Sequence, residues 1–116
     1  MNKVYKYPDA KSLVICGDIH GDFVPLVYEI TMRYGMRDTL VIVAGDCGFG
    51  FEKPDAYNNI FRRIEKRLVQ NNCWIAMVRG NHDDPAYFEL QADGNTLIHH
   101  ARWQTVPDYA VIKACG

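Results

Sequence analysis

The sequence predicts an α/β domain with a parallel-sheet βαβαβ core, and three observations carry that reading. Short apolar runs at Ser12 to Cys16, Thr39 to Ala44 and Cys73 to Val78 have the length and composition of buried strands. The two stretches between them place apolar residues at helical spacing. Each run gives way within two residues to a glycine followed by Asp or Asn. Strand, helix, strand, helix, strand implies a parallel sheet with right-handed crossovers. Ligands of such sheets gather beyond the C-terminal ends of the strands.

Along the chain, the run Ser-Leu-Val-Ile-Cys stops at Gly17-Asp18. Asp22 to Met36 then carries Phe23, Leu26, Val27, Ile30 and Tyr34 on one helical face. Pro25 falls in the first turn, where a missing N–H costs little, and Gly35 can cap the end. Thr39 to Ala44 is the second strand. Asp55 to Asn71 is a second helix, with Tyr57, Ile60, Phe61, Ile64 and Leu68 on its apolar face. Arg62, Arg63, Lys66 and Arg67 lie largely opposite, and a basic helix face of this kind is usually just solvated. Beyond the third strand the signal weakens, and Thr96 to His100 and Tyr109 to Ala114 are each expected as a strand.

Composition narrows the class. The 116 residues suit one domain, 1–116, with a core of its own. An apolar fraction of 48% and a charged fraction of 23% exclude a disordered, collagen-like or coiled-coil chain. A net charge of −1 gives no strong pull toward nucleic acid, which is not expected as a stable partner. No apolar run approaches the ~20 residues of a membrane helix. Met1 to Asp9 lacks the apolar stretch of a signal peptide. Cys16, Cys47, Cys73 and Cys115 are scattered without a CxxC pair, so they are read as free thiols in a cytoplasmic protein.

The chemistry lies at the strand ends. They read Gly17-Asp18-Ile19-His20-Gly21, Gly45-Asp46 and Gly80-Asn81-His82-Asp83. Asp18 and Asp46 are 28 positions apart and Asp46 and Asn81 are 35 apart, each about one βαβ unit. Parallel strands ~5 Å apart would bring all three clusters to one edge of the sheet. Two carboxylates, an imidazole and an amide oxygen suit divalent Mn, Fe or Zn. One residue separates Asp18 from His20, so an extended segment would point both to the same side. Asp46 has two oxygens and could bridge two ions, and two ions ~3.5–4 Å apart can clamp a displacement at phosphorus. Asp-x-His or Gly-Asp alone would be weak, because strand-end aspartates often cap the next helix. Their joint occurrence, in order and at this spacing, is what carries the metal-site reading.

Gly-Asp-Ile-His-Gly, Gly-Asp and Arg-Gly-Asn-His-Asp resemble the motifs of the calcineurin-like metallophosphoesterase superfamily, over Leu13 to about Pro85. The resemblance implies the N-terminal half of a metallophosphoesterase-type α/β sandwich. It also implies hydrolysis of a phosphate ester by hydroxide activated by two metal ions. By that resemblance Asp18 and His20 would ligate the first metal, Asp46 would bridge, and Asn81 would ligate the second and contact substrate phosphate. His82 would meet the phosphate and act near the leaving group, with Asp83 orienting its ring. The chemistry of an imidazole acid independently favours such a carboxylate. Acid should inactivate such a site, because a protonated His20 cannot ligate.

Two departures shape the expectation. Ser/Thr protein phosphatases of the superfamily carry Gly-Asp-x-x-Asp-Arg-Gly, whereas this chain has Gly45-Asp46-Cys47-Gly48-Phe49-Gly50-Phe51 and no arginine there. The later histidine motifs of the superfamily are also missing. His99 and His100 are the remaining histidines, adjacent in a strand-like run and read as solvated or core residues. The chain is therefore expected to be the N-terminal portion of a longer protein, with incompletely ligated metals and little turnover. A truncated sheet would leave an exposed edge that invites self-association.

Other chemistries fit less well. Cys73 and Arg79 have the bare spacing of a cysteine-dependent phosphatase, but an apolar strand without glycine separates them. Ser12 precedes a strand rather than occupying a nucleophile elbow, and no Walker A loop occurs. The alternative from another class is a non-catalytic module of the same fold that serves as a binding scaffold.

Overall fold

The computed structural model describes residues 3–115. Its main sheet contains β2 (Ser12–Cys16), β3 (Thr39–Ala44), β4 (Trp74–Val78) and β5 (Trp103–Val106). They lie side by side in that order, and all pairs are parallel. The register sets Leu13 beside Leu40, Leu40 beside Trp74, and Ile75 beside Trp103. A second, two-stranded parallel sheet joins β1 (Val4–Tyr7) to β6 (Val111–Ala114).

The strand period of two gives the main sheet two different faces. Val14, Cys16, Val41, Val43, Ile75, Met77 and Trp103 face a helical layer. That layer contains α1 (Phe23–Tyr28) and α2 (Pro54–Gln70), which pack on each other. Right-handed crossovers between successive strands place both helices on the same side. Leu40, Ala76 and Val106 face the other way, onto Tyr5 and Tyr7 of the small sheet and Ala10 just after it. β2 is an outer strand of the main sheet, and its Leu13 and Ile15 are exposed there.

The fold matches the sequence reading in β2, β3, β4 and α2. The helix expected over Asp22 to Met36 instead changes character, with a π-helical turn at Glu29–Arg33 after α1. The Thr31 hydroxyl donates to the carbonyl of Val27 at 2.7 Å, and the Tyr34 N–H reaches five residues back to Glu29. Such back-bonding competes with the regular ladder and widens the helix. The strand expected at Thr96 to His100 is not formed. That segment folds back on β5 through one bridge from His99 to Gln104, while Thr96 turns its hydroxyl onto the carbonyls of Ile98 and Thr105. Only the last four residues of the expected Tyr109 to Ala114 strand form one, as β6.

All four cysteines are free. Among the described residues, no helix is long and apolar enough to cross a membrane.

Candidate metal centre

Because β2, β3 and β4 are parallel, the segments that follow them emerge at one edge of the sheet. Backbone hydrogen bonds then fasten these loops together. The N–H groups of Asp18, His20 and Gly21 donate to the carbonyls of Gly45, Asp46 and Cys47, at 3.2, 3.1 and 2.7 Å. The Gly45 N–H donates to Val78 and the Asp84 N–H to Phe49. Asp18, His20, Asp46 and Asn81 thus sit on interlocked loops, although they are far apart in sequence.

The local conformation differs from the extended segment expected at Asp18 and His20. Both are left-handed, with φ of 58° and 49°, and Asp46 joins them at 47°. Such values are uncommon outside glycine and tend to persist where the surroundings enforce them, often at functional sites. The left-handed bends, not strand alternation, bring the Asp18 Oδ1 to 2.5 Å from the His20 Nε2. Asp46 Oδ1 accepts the backbone N–H of His82 at 3.2 Å and lies 3.3 Å from its Nδ1. The His82 N–H, then its ring, hold the Asp46 carboxyl below the usual carboxylate range. Asp46 therefore stays ionised at neutral pH.

Asp83 corrects the sequence reading. Its carboxylate is buried and, among the described residues, makes no hydrogen bond to the His82 ring. Instead Oδ2 accepts the N–H groups of Cys47 and Gly80, at 3.1 and 2.9 Å. Oδ1 accepts those of Gly48 and Phe49, at 2.9 and 3.0 Å. The group that meets the His82 ring is Asp46. Burial, reinforced by Asp83, pushes the neighbouring Cys47 thiol far up, so that thiol stays protonated.

Tyr57 has a role that its place on the apolar face of α2 did not disclose. Its hydroxyl donates to the Gly48 carbonyl at 2.6 Å. The same oxygen accepts from the N–H groups of Gly50, Phe51 and Glu52, at 3.1 to 3.2 Å. Its ring packs on Phe49 and Tyr87 beneath the loop. No sequence pattern marks a core tyrosine as a loop tether. Tyr57→Phe keeps the ring and removes the hydroxyl, so we expect destabilisation of about 1–3 kcal/mol. Urea unfolding measures that loss, and amide exchange should show it concentrated at residues 50–52.

His99 and His100 make other contacts. His99 faces Gln104, while His100 stacks on Trp103 and lies 3.0 Å from Glu65. Asn81 and His82 are exposed.

A parallel α/β sheet that carries Asp, His, Asp and Asn on locked loops at its C-terminal edge has the layout of a metal-dependent hydrolase domain. The family model for calcineurin-like phosphoesterases matches residues 11–113, and the chain belongs to that family. No curated protein and no solved structure matches the chain.

Members of this family typically bind divalent metals, and the donor chemistry here fits such ions. Asp18 with His20 and Asp46 with His82 form two close pairs. Among the described residues, no three His, Cys, Asp or Glu side chains converge as one ready-made cage.

Proposed function

We propose that the chain is the working edge of a metal-dependent phosphoesterase that hydrolyses a phosphate mono- or diester. The observation that carries this reading is the fastening of the Asp18, Asp46 and Asn81 loops to one another at the C-terminal edge of the sheet. Asp18, His20, Asp46 and Asn81 would hold two divalent ions, with Asp46 shared between them. When bound, such ions activate water and neutralise charge on the phosphate. Manganese, iron and zinc all suit this donor set.

The chain's own residues supply the rest. Asn81 presents an amide donor to a phosphate oxygen. His82 is held through its Nδ1 by Asp46, which leaves Nε2 to donate a proton to the leaving oxygen. Four free thiols support a cytoplasmic, reducing location.

Two variants test the reading. Asp46→Asn should weaken Mn²⁺ binding at least tenfold by calorimetry. His82→Asn should lower turnover of 4-nitrophenyl phosphate roughly 100-fold or more. The non-catalytic scaffold reading draws on the absence of a three-donor cage among the described residues. It prevails if both variants leave metal binding and hydrolysis unchanged.

A further inference from the structure

A cavity of about 450 Å³ lies against the segments that follow β4 and β5, at the same edge of the sheet as the candidate metal centre. Its walls are Pro85, Phe88, Leu90 and Pro107, and Arg79 and Asp108 stand at one side. Its size lies in the ~300–1,000 Å³ range of small-molecule sites.

The cavity is lined by residues at both ends of the loop that carries Asn81 and His82. Arg79 lies two residues before Asn81, and Pro85 three after His82. At ~3.8 Å per residue, the Cα atoms of Arg79 and Asn81 are less than ~8 Å apart. A ligand longer than that separation could reach from the cavity wall to the Asn81 loop.

The local chemistry selects what enters. Arg79 donates to both carboxylate oxygens of Asp108, from Nη2 at 2.7 Å and Nε at 3.3 Å. That pairing neutralises the cationic group on the wall, and Glu89 adds a further negative charge. A second phosphate or a polyanionic strand is disfavoured, whereas an uncharged apolar group fits. Next to Asp108, Tyr109 is 87% exposed and has a left-handed φ of 63°. It sits in a turn closed by the Ala110 N–H on the Pro107 carbonyl, at a conformation usually left to glycine or asparagine. The turn thus leaves an exposed aromatic residue next in sequence to Asp108 of the cavity wall, at a cost in backbone strain.

We propose that this cavity receives the uncharged, ring-bearing ester group of a phosphate ester whose phosphate lies at Asn81 and His82. The proposal rests on the phosphoesterase reading and narrows its substrate class. Leu90 is the specificity residue, half-exposed on the cavity wall and outside the metal and phosphate machinery.

The test compares naphthylmethylphosphonate with methylphosphonate, neither of which is cleaved, by calorimetry on the full chain with Mn²⁺. The naphthyl compound should bind roughly tenfold tighter. Leu90→Asp, which places a charge on the wall, and Leu90→Trp, which fills the cavity, should both bring the ratio close to one. Circular dichroism confirms that each variant is folded, and the two substitutions act by different means. Equal affinity for the two phosphonates, or a preference that survives both variants, overturns the proposal.

Hydrolysis of 1-naphthyl phosphate and methyl phosphate keeps the two readings apart. If His82→Asn abolishes cleavage of both and no naphthyl preference exists, the phosphoesterase reading stands and the pocket assignment falls. If the naphthyl preference exists but no cleavage depends on His82, the phosphoesterase reading falls, and with it the ester group as occupant.

Discussion

Asp83→Ala should destabilise the domain by about 3 kcal/mol or more, read as a lower urea midpoint. Asp83 is 4% exposed, and its carboxylate accepts four backbone N–H groups. Removing it strands those donors, and each unsatisfied buried group costs ~1–3 kcal/mol. Water reaches the partly exposed Gly48 and Gly80 more readily than the buried Cys47 and Phe49. The penalty therefore falls mostly on the latter two. Asp83→Asn is no conservative replacement here. Each carboxylate oxygen serves two N–H donors, and an amide nitrogen in place of one oxygen would face two donors with a donor. Asn should therefore lose most of what Ala loses. An Asp83 that acted only by orienting the His82 ring would behave otherwise. Its Asn variant would keep wild-type stability and alter only the pH dependence of turnover.

That case shows which parts of the site could be read from the chain. The loops that carry the proposed donors Asp18, His20, Asp46 and Asn81 were legible because residue chemistry and βαβ spacing are both local in the sequence. The strands β2 and β3 were legible as dense β-branched runs, Ser-Leu-Val-Ile-Cys and Thr-Leu-Val-Ile-Val-Ala. The strand β1, Val-Tyr-Lys-Tyr, was not, because its partner β6 lies at the other end of the chain. β5 was also missed. Its Gln104 and Thr105 are polar, and its place depends on Trp103 stacking against Phe61 and on the Thr105 hydroxyl donating to the Tyr87 carbonyl.

Partners across loops were the other blind spot. An aspartate after a histidine suggests an imidazole partner, and only the fold shows that four amides claim this one first. The left-handed bends at Asp18, His20 and Asp46 were hidden for a similar reason. Nothing local requires positive φ of an aspartate or histidine, and the constraint comes from neighbouring loops. Tyr57 satisfied the helical period of a core residue, which concealed the reach of its hydroxyl.

Gly48→Ala should separate the loop of Asp18 and His20 from the loop of Asp46. Gly48 has a φ of +100°, and a Cβ there would lie 2.4 Å from the Gly21 nitrogen and 2.8 Å from the His20 carbonyl carbon. Those atoms are backbone, so no side chain can swing aside to relieve the clash. The Gly21 N–H is also the donor of the 2.7 Å hydrogen bond to Cys47, one of the fastenings between the loops. Overpacking and the left-handed strain together should cost about 2–4 kcal/mol. Mn²⁺ affinity should fall roughly 10- to 100-fold as the donors part. Amide exchange at Gly21 supplies a metal-free measure, because its protection depends on that hydrogen bond. Gly94→Ala separates the two causes: Gly94 has a φ of +82° but nothing within 4 Å of its added Cβ. It should show only the strain, about 1–2 kcal/mol, with metal affinity and Gly21 protection unchanged. Equal effects from the two alanines would mean that conformation alone matters and that close approach of the loops does not set the site.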